Sequence, residues 1–356
     1  MSWIEVDYRF TPGVDPHIQA RVIAIGQTAG TWSERFAHRD ASLRAHLGEV
    51  VGVADRVATV RFPFANVEGD VGTLLTMIFG KYSMAGPAKV VGLRVPDGFG
   101  VAPRHGLAGI RRLTGVSSGP IVMAIFKPAL GLTAADHAAL LREVALAGVD
   151  IVKDDEILGD LPGCPALDRV RACRPVIDEV ALATGKRCLY AVNVTGRAHE
   201  VLDRARRLVD AGANALLFNG LTHGWSVLES LAASVDVPVF LHPALAGALA
   251  AAPDHGFAWS VLLGTLPGLA GADAVLHPSS VGSLPFSRAD EEGVRDALRA
   301  RGLAPVPSAG VHPGVVPALL DLYGADVVLN AGTGIMDHPS GPAAGVRAML
   351  AAAGRG

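Results

Sequence analysis

A lysine followed directly by three carboxylates is the segment of this chain best suited to chemistry. Lys153 closes a mostly apolar run, 148–152, and is followed by Asp154, Asp155 and Glu156. The run predicts a buried strand, with the carboxylates at its end. Carboxylate oxygens suit Mg²⁺, which leaves coordination positions open for a substrate. The pattern predicts a magnesium site, and the alternative is a solvated loop with a local ion pair.

Lysine is otherwise rare in this sequence, which draws attention to each one. The other four are Lys81, Lys89, Lys127 and Lys186. A free ammonium repels a divalent cation, so Lys153 suits a metal site only when it is neutral or has reacted with CO₂ to give an anionic carbamate. Lys127, which follows an earlier apolar run, could stabilise enolate charge or transfer a proton. It could equally extend into solvent from a strand end.

The bulk composition excludes several classes of protein. A net charge of −3 does not provide the basic surface that nucleic-acid binding needs. No apolar stretch of about 20 residues has the character of a membrane span. Cys164, Cys173 and Cys188 show no metal-ligand spacing, which is typical of reduced thiols in the cytoplasm. The sequence predicts a cytoplasmic protein with neither nucleic-acid nor membrane partners.

The first third of the chain predicts a small α+β domain. Strand-like runs at 4–10, 50–61 and 88–95 alternate with helical stretches at 16–27 and 71–79. This mixture is typical of the split βαβ, or ferredoxin-like, arrangement. At 356 residues the chain is long enough for about two domains. We place the predicted boundary between residues 1–117 and residues 118–356.

The remainder predicts a (β/α)₈ TIM barrel. Eight apolar strand candidates recur, at 121–126, 149–152, 188–194, 215–218, 237–241, 272–276, 305–308 and 327–329. Helical stretches lie between most of them, at 134–147, 167–183, 198–211, 288–301 and 317–323. A doubly wound open sheet is the alternative. The count of eight, and the absence of a Gly-x-Gly-x-x-Gly segment after the first strand, favour the barrel.

Polar or glycine-rich residues follow nearly every predicted barrel strand. Barrel active sites form from the segments that follow the strands, so these positions are candidates for function. The ends of the seventh and eighth strands could bind phosphate through backbone N–H groups and hydroxyls. His242 and His277 follow the fifth and sixth strands. Either histidine alone is more often structural than catalytic.

These residues together resemble RuBisCO large subunits, and especially the RuBisCO-like proteins. The similar segments cover almost the whole chain in the family's order: 27–32, 126–132, 148–156, 242–247, 307–313 and 330–339. The resemblance implies a small N-terminal domain before the barrel. It also implies a homodimer, possibly assembled further, in which each active site is completed by the partner's N-terminal domain.

The resemblance also implies roles for individual residues. It implies Mg²⁺ bound by a carbamylated Lys153 together with Asp155 and Glu156. Lys127 matches the lysine that assists enolisation, and His242 and His277 match active-site histidines. The residues that match binding positions for a phosphorylated small-molecule substrate are Thr31 and Trp32, contributed by the partner, and Ser308, Gly310, Gly332 and Thr333.

Several departures from the carboxylases argue against CO₂ fixation on a bisphosphate. Ala129 stands where a carboxylase has a second lysine, and Pro243 where it has an arginine. The segment 277–287, which matches the mobile sixth loop, contains no lysine. Gly26 stands where a glutamate is expected. The resemblance and these departures together imply that the enolate-forming half of the chemistry is retained and that the CO₂-capturing half is lost.

Lys81 points to a particular group of RuBisCO-like proteins. The segment Gly80-Lys81-Tyr82-Ser83 resembles one found in the enolases of methionine salvage, in which the lysine is the general base. The alternative is a surface lysine in a turn. In the enolase interpretation, Lys81 or the Lys153 carbamate removes the proton and Lys127 balances charge.

The resemblance implies a Mg²⁺-dependent enzyme that enolises a phosphorylated keto compound. The best match is tautomerisation of 2,3-diketo-5-methylthiopentyl 1-phosphate. Two alternatives are decarboxylation or transcarboxylation of 3-oxoisoapionate 4-phosphate or a similar branched keto acid, and isomerisation of 5-methylthioribulose 1-phosphate. A non-catalytic binding barrel is a fourth, and the intact Lys153–Glu156 cluster argues against it.

Overall fold

An antiparallel sheet forms the first part of the fold, in the computed structural model that describes residues 2–30 and 34–356. Side chains of its first strand are buried at every second position, as expected where one face of a sheet packs on a core. The strand order is β4-β1-β3-β2, with every neighbouring pair antiparallel. This order confirms the ferredoxin-like prediction. The strands are β1 Trp3–Phe10, β2 Glu49–Ala54, β3 Val57–Pro63 and β4 Ala88–Arg94.

Short helices connect these strands. They are α1 Pro16–Gly26, α2 Asp40–Arg44, α3 Val71–Leu75 and α4 Tyr82–Ala85. The side chain of Asp15 caps α1 by accepting hydrogen bonds from the backbone N–H groups of His17 and Ile18. A π-helical turn, Thr76–Gly80, separates α3 from α4 and ends directly before Lys81.

The prediction of a single strand over 50–61 is wrong. The structure has a hairpin there, in which β2 pairs with β3 and Asp55 and Arg56 form the turn. Asp55 adopts a φ of 51°, in the left-handed region that aspartate tolerates better than most residues. The apolar character on both sides of Asp55 concealed the turn.

The parallel barrel is confirmed, with its strands in sequence order. Backbone ladders join its eight strands, within the described residues, in the order β12-β11-β9-β8-β7-β6-β5-β13. A side-chain hydrogen bond of 2.9 Å from Asn330 to Ser308 crosses between β13 and β12. The strands are β5 Ile121–Ile125, β6 Ile151–Lys153, β7 Leu189–Asn193, β8 Ala215–Phe218, β9 Val239–Leu241, β11 Ala274–Pro278, β12 Ala304–Ser308 and β13 Val328–Ala331.

Helices surround the barrel, and the five predicted ones form close to their predicted positions. Local sequence fixes their starts: Thr133 and Asp136 form a capping box at α6, and Ser287 caps α12. The helices are α5 Gly106–Thr114, α6 Ala134–Leu146, α7 Ala166–Thr184, α8 Ala198–Asp210, α9 Trp225–Ser234, α10 Ala246–Ala250, α11 Leu266–Leu269, α12 Arg288–Arg299, α13 Val316–Tyr323, α14 Thr333–Met336 and α15 Pro342–Ala352.

Apolar side chains fill the barrel interior, and α5 covers one end of it. Met123, Leu217 and Phe240 are fully buried inside the barrel. Ile110 of α5 packs in the same cluster, so this helix lies with the barrel although it precedes residue 118. The domain boundary near residue 117 stays a prediction.

The two parts of the fold share a sheet. The short strand β10, Gly256–Phe257, lies between β9 and β11 in the sequence, yet it pairs in parallel with β4. Lys89 of β4 is buried, and its Nζ donates to the carbonyl oxygens of Ala250 at 2.7 Å and Ala252 at 2.6 Å. These contacts fix the N-terminal sheet against the barrel.

No helix in the described ranges combines the length and apolar character of a membrane crossing.

Glu229 of α9 provides a test of this junction between the two parts. Its Oε1 accepts a hydrogen bond of 3.1 Å from Val71 N–H, and its Oε2 is buried with no partner in the described residues. Burial raises the pKa of Glu229 to about 6, opposed by the Val71 hydrogen bond and assisted by the charge of Asp70. Ionising this carboxyl therefore costs folding free energy as the pH rises through the raised pKa.

We expect Glu229→Gln to stabilise the protein by about 1 kcal/mol at about pH 8, and by much less at about pH 5 where the carboxyl is largely protonated. Urea unfolding at both pH values measures the difference. The exposed neighbour Glu68, changed to glutamine, is the control. Equal effects of Glu229→Gln at the two pH values would contradict the assignment.

Candidate active site

One cavity of about 460 Å³ opens at the carboxyl ends of the barrel strands. A site at this end is what parallel barrel architecture predicts. Seven of the residues singled out in the sequence line the cavity together: Lys127, Lys153, Asp155, Glu156, His242, His277 and Ser308. The barrel strands bring these residues together although the first, Lys127, and the last, Ser308, lie far apart in the chain.

Lys127 and Asp155 form an ion pair in this cavity. The Nζ of Lys127 lies 2.6 Å from Oδ2 of Asp155, whose side chain is almost completely buried. Burial raises the pKa of Asp155, but the hydrogen bonds from Lys127 and from the backbone N–H of Ile157, with the charges of Lys127 and Lys153, together lower it by more, so the net shift is downward. Asp155 is therefore held as a carboxylate, the form that binds cations.

Lys153 is a fully buried amine beside acidic groups. Its Nζ donates to the backbone carbonyl of Asp154 at 2.8 Å and lies 3.6 Å from Oε2 of Glu156. Burial lowers the pKa of Lys153, opposed by the charges of Glu156, Asp155 and Asp154. The surroundings thus favour the neutral amine more than water does.

Both cavity histidines favour the neutral form, and of the two His277 is fully buried and His242 partly buried. Burial, with a smaller contribution from Lys153, lowers the pKa of His242 to about 4, and its Nε2 lies 3.4 Å from Oε2 of Glu156. Burial also lowers the pKa of His277, whose Nδ1 lies 2.9 Å from the carbonyl oxygen of Pro278. His242 Nδ1 and His277 Nε2 have no hydrogen-bond partner in the described residues. Neutral imidazoles can orient a substrate without adding charge.

The donor set fits a divalent cation only in part. Asp155 and Glu156 supply carboxylate oxygens on one wall of the cavity. Within residues 2–30 and 34–356 no group of three or more His, Cys, Asp or Glu side chains is placed to hold a metal ion. Lys153 lines the same cavity as these two carboxylates. A third anionic ligand would have to come from its side chain.

A buried network that the sequence did not reveal holds this segment in place. Asp154 points away from the cavity, and its Oδ2 accepts from Arg169 and from Asn193 N–H, both at 2.9 Å. Its Oδ1 accepts from the Tyr190 hydroxyl at 2.7 Å. The side-chain amides of Asn193 and Asn219 each donate to the carbonyl oxygen of Glu156 at 3.0 Å. The asparagines end predicted strands, a signal that could have identified them.

The predicted phosphate-binding residues are only partly brought into the cavity. Ser308 lines it, whereas Gly310, Gly332 and Thr333 lie beyond the ends of β12 and β13 and are not part of its lining. Ala309 lines the cavity with a φ of 65°, in the left-handed region. Asn330, which sequence reasoning did not choose as a site residue, also lines it.

Lys81 lies apart from the barrel cavity. It follows the π-helical turn and lines a different recess, together with Gly26, Gly30 and apolar residues of α1. Its side chain is exposed and makes no hydrogen bond or ion pair within the described part of the chain. Thr31 and Trp32, predicted to bind the partner's substrate, lie outside the described residues.

The fold and the cavity define a class: a two-part protein whose (β/α)₈ barrel carries paired lysines, carboxylates and histidines at the strand ends. Such groups are typical of barrel enzymes. The family model of the ribulose bisphosphate carboxylase large chain, catalytic domain, matches residues 106–354 of this chain.

Individual relatives agree with this match. A 2,3-diketo-5-methylthiopentyl-1-phosphate enolase of Microcystis aeruginosa is 59% identical over 99% of this chain and 93% of its own length. The enolase of the same name from Bacillus pumilus is 40% identical over 98% and 91%. A rubisco-like protein of Alicyclobacillus acidocaldarius has a similar structure, with a TM-score of 0.90, 39% identity and coverage of 99% and 92%. The chain belongs to the RuBisCO large-chain family and, within it, to the RuBisCO-like proteins, as its motifs predicted.

The Asp154–Arg169 pair allows a test of the buried network. Both side chains are completely buried, so Arg169→Met leaves a carboxylate without its charge partner, and we expect a loss of about 3–5 kcal/mol in the free energy of unfolding. Tyr190→Phe removes one hydrogen bond to the same carboxylate, and we expect a loss of about 1–2 kcal/mol. Urea unfolding measures both. Arg174→Met, which breaks an exposed pair with Asp178, is the matched control. A loss for Arg169→Met no larger than the control's would contradict this role.

Proposed function

We propose that this protein is a Mg²⁺-dependent enolase that acts on 2,3-diketo-5-methylthiopentyl 1-phosphate in the cytoplasm. The observation that carries the proposal is the convergence of Lys127, Lys153, Asp155 and Glu156 in one cavity, in a chain 59% identical to an enolase of that name. The activity named for these relatives supports enolisation over decarboxylation or isomerisation. Buried free cysteines are compatible with a reducing compartment.

Lys153 would complete the metal site as a carbamate. Its amine nitrogen bonds to the carbon of CO₂ and releases a proton, which gives an anionic group with two oxygen atoms. Asp155 and Glu156 flank that position and would hold Mg²⁺ with it. When bound, Mg²⁺ stabilises negative charge on the oxygen atoms of an enolising substrate. The burial of Lys153 supports the modification, because an uncharged amine is the form that reacts with CO₂.

The remaining residues would bind the substrate and move the proton. Lys127 is paired with Asp155 and would balance the charge that develops on the substrate. His242 and His277 line the cavity and would orient the keto oxygens. Ser308 and the N–H groups that follow β12 and β13, including those at Gly310, Gly332 and Thr333, would bind the phosphate.

Lys81 is the general base that we propose, acting in a second copy of the chain. It is exposed and unpaired in the described ranges, and it lines a recess separate from its own barrel cavity. Apolar side chains of α1 are exposed around that recess: Ile18 by 58%, Val22 by 49% and Ile25 by 40%. An exposed apolar stripe of this kind is typical of a subunit interface. A homodimer would bring Lys81 of one subunit to the cavity of the other.

Replacing Lys153 tests the metal-site proposal. We expect Lys153→Ala to reduce turnover of the diketo phosphate at least about a hundredfold, because the carbamate ligand cannot form. Turnover and deuterium incorporation from solvent, measured with Mg²⁺ and bicarbonate, provide the readout. Lys186→Ala, at an exposed lysine, is the control. Full activity of Lys153→Ala would refute the proposal, as would a wild-type protein that neither turns over the substrate nor exchanges its protons.

Mixing two inactive variants tests the shared active site. We expect Lys81→Ala and Lys153→Ala to be inactive separately. After unfolding and refolding together in equal amounts, they should regain about a quarter of wild-type activity, because half of the dimers then contain one intact site. No recovery, with mixed dimers demonstrated by mass spectrometry, would mean that Lys81 acts within its own subunit or does not act at all.

A further inference from the structure

One side of the barrel cavity is apolar, whereas the other carries the charges. The charged side comes from the ends of β5 and β6 and the residues that follow them, through Lys127, Lys153, Asp155 and Glu156. The strands β9 and β11 lie roughly opposite these two in the ring. The segments that follow β9 and β11 contribute Pro243, Ala246, Trp259, Leu284 and Pro285 to the lining; we call these five residues the apolar wall.

The apolar wall has no cation to neutralise a second phosphate. Among the described residues that line the cavity, the lysines and arginines are Lys127 and Lys153 alone. Both are engaged with carboxylates, at 2.6 Å for Lys127 with Asp155 and 3.6 Å for Lys153 with Glu156. Placing a phosphate dianion against the apolar wall would remove it from water with no compensating charge, at a large cost in free energy.

The apolar wall is fixed in place before any ligand binds. Ser280 donates to Glu291 Oε2 from its backbone N–H at 2.7 Å and from its hydroxyl at 2.6 Å. Glu291 is itself fully buried and accepts from Tyr323 at 2.8 Å. Ser283 N–H donates to the carbonyl oxygen of Ala309 at 2.8 Å. The segment that carries Leu284 is therefore bonded to the helix after it and to the end of β12.

Aromatic packing completes the shape of the apolar wall. The ring of Trp259 contacts the edge of Phe286, with centroids 5.1 Å apart and an interplanar angle of 78°. Phe286 lies one residue after Pro285, so this contact holds the sixth-strand segment against the segment after β10. Leu284 stays 52% exposed and can cover an apolar group of a ligand without repacking the core.

We propose that the apolar wall binds the uncharged, apolar end of a monophosphate substrate, with Leu284 as a specificity-determining residue. The proposal rests on the proposed function and deepens it, because it assigns the alkylthio end of the diketo phosphate to this surface. The phosphate then lies toward Ser308, and the reacting carbons of the substrate lie between Ser308 and the apolar wall. A bisphosphate binds weakly because the described lining offers no free cation at this wall, and a hydroxylated chain end loses the apolar contact.

Binding of unreactive phosphates tests this inference independently of turnover. We expect pentyl phosphate to bind the wild-type protein about tenfold more tightly than 5-hydroxypentyl phosphate, and 1,5-pentanediol bisphosphate to bind more weakly still. Calorimetric titration in Mg²⁺ and bicarbonate gives the dissociation constants. Leu284→Ser should remove most of the tenfold preference, and Leu284→Lys should improve binding of the bisphosphate while weakening pentyl phosphate. Leu182→Ser, at a leucine 90% exposed on α7, should leave all three constants unchanged.

Kinetics with the diketo phosphate provide the second readout. Leu284→Ser should raise KM roughly tenfold with kcat changed little, because the contact is made equally in the ground state and the transition state. Equal binding of pentyl and hydroxypentyl phosphates by the wild-type protein would overturn the inference, even if the enolase reaction is demonstrated. Absence of turnover with an intact preference for pentyl phosphate would instead remove the proposed function and leave the apolar subsite standing.

Discussion

The buried ion pair between Asp154 and Arg169 is the interaction on which the active-site end of the barrel depends. Asp154 follows β6 with its carboxylate completely buried, and partners from α7 and β7 satisfy it. Side chains alternate along an extended segment, so Lys153 and Asp155 face the cavity because Asp154 faces away. Removing water from this carboxylate is tolerable only with those partners present, and this ties the orientation of the ligand-bearing segment to the packing of two neighbouring elements.

Burial also sets the chemistry of the groups that face the cavity. It lowers the pKa of Lys153, of His242 and of His277, which favours neutral amines and imidazoles, while Lys127 keeps Asp155 ionised. Negative charge is thereby concentrated on one wall, beside an amine suited to react with CO₂. The enclosed site strengthens every electrostatic interaction made inside it, which is the condition that stabilising an enolate requires.

Two further surfaces matter for the proposed reaction: the apolar wall of the cavity and the separate recess lined by Lys81. The apolar wall offers contact without charge, which suits one end of a monophosphate. Lys81 lies outside the cavity of its own subunit, so the proposed base and the proposed metal ligands meet only when two copies associate. In the proposed subsite, Pro243 and the lysine-free segment 277–287 would therefore contribute to a different substrate preference, besides being losses relative to a carboxylase.

The sequence by itself determined the ferredoxin-like and barrel architecture, because hydrophobic periodicity and strand count are local properties. It also identified the titratable residues of the cavity lining, since barrel topology assigns chemistry to the residues after each strand. It concealed the hairpin at Asp55, where one backbone angle turns an apolar run, and the long-range partners Arg169 and Tyr190. Only the tertiary structure decided that Asn330 belongs in the cavity, that Lys81 does not, and that one wall is apolar. Those properties depend on which distant segments meet, and no local pattern records that.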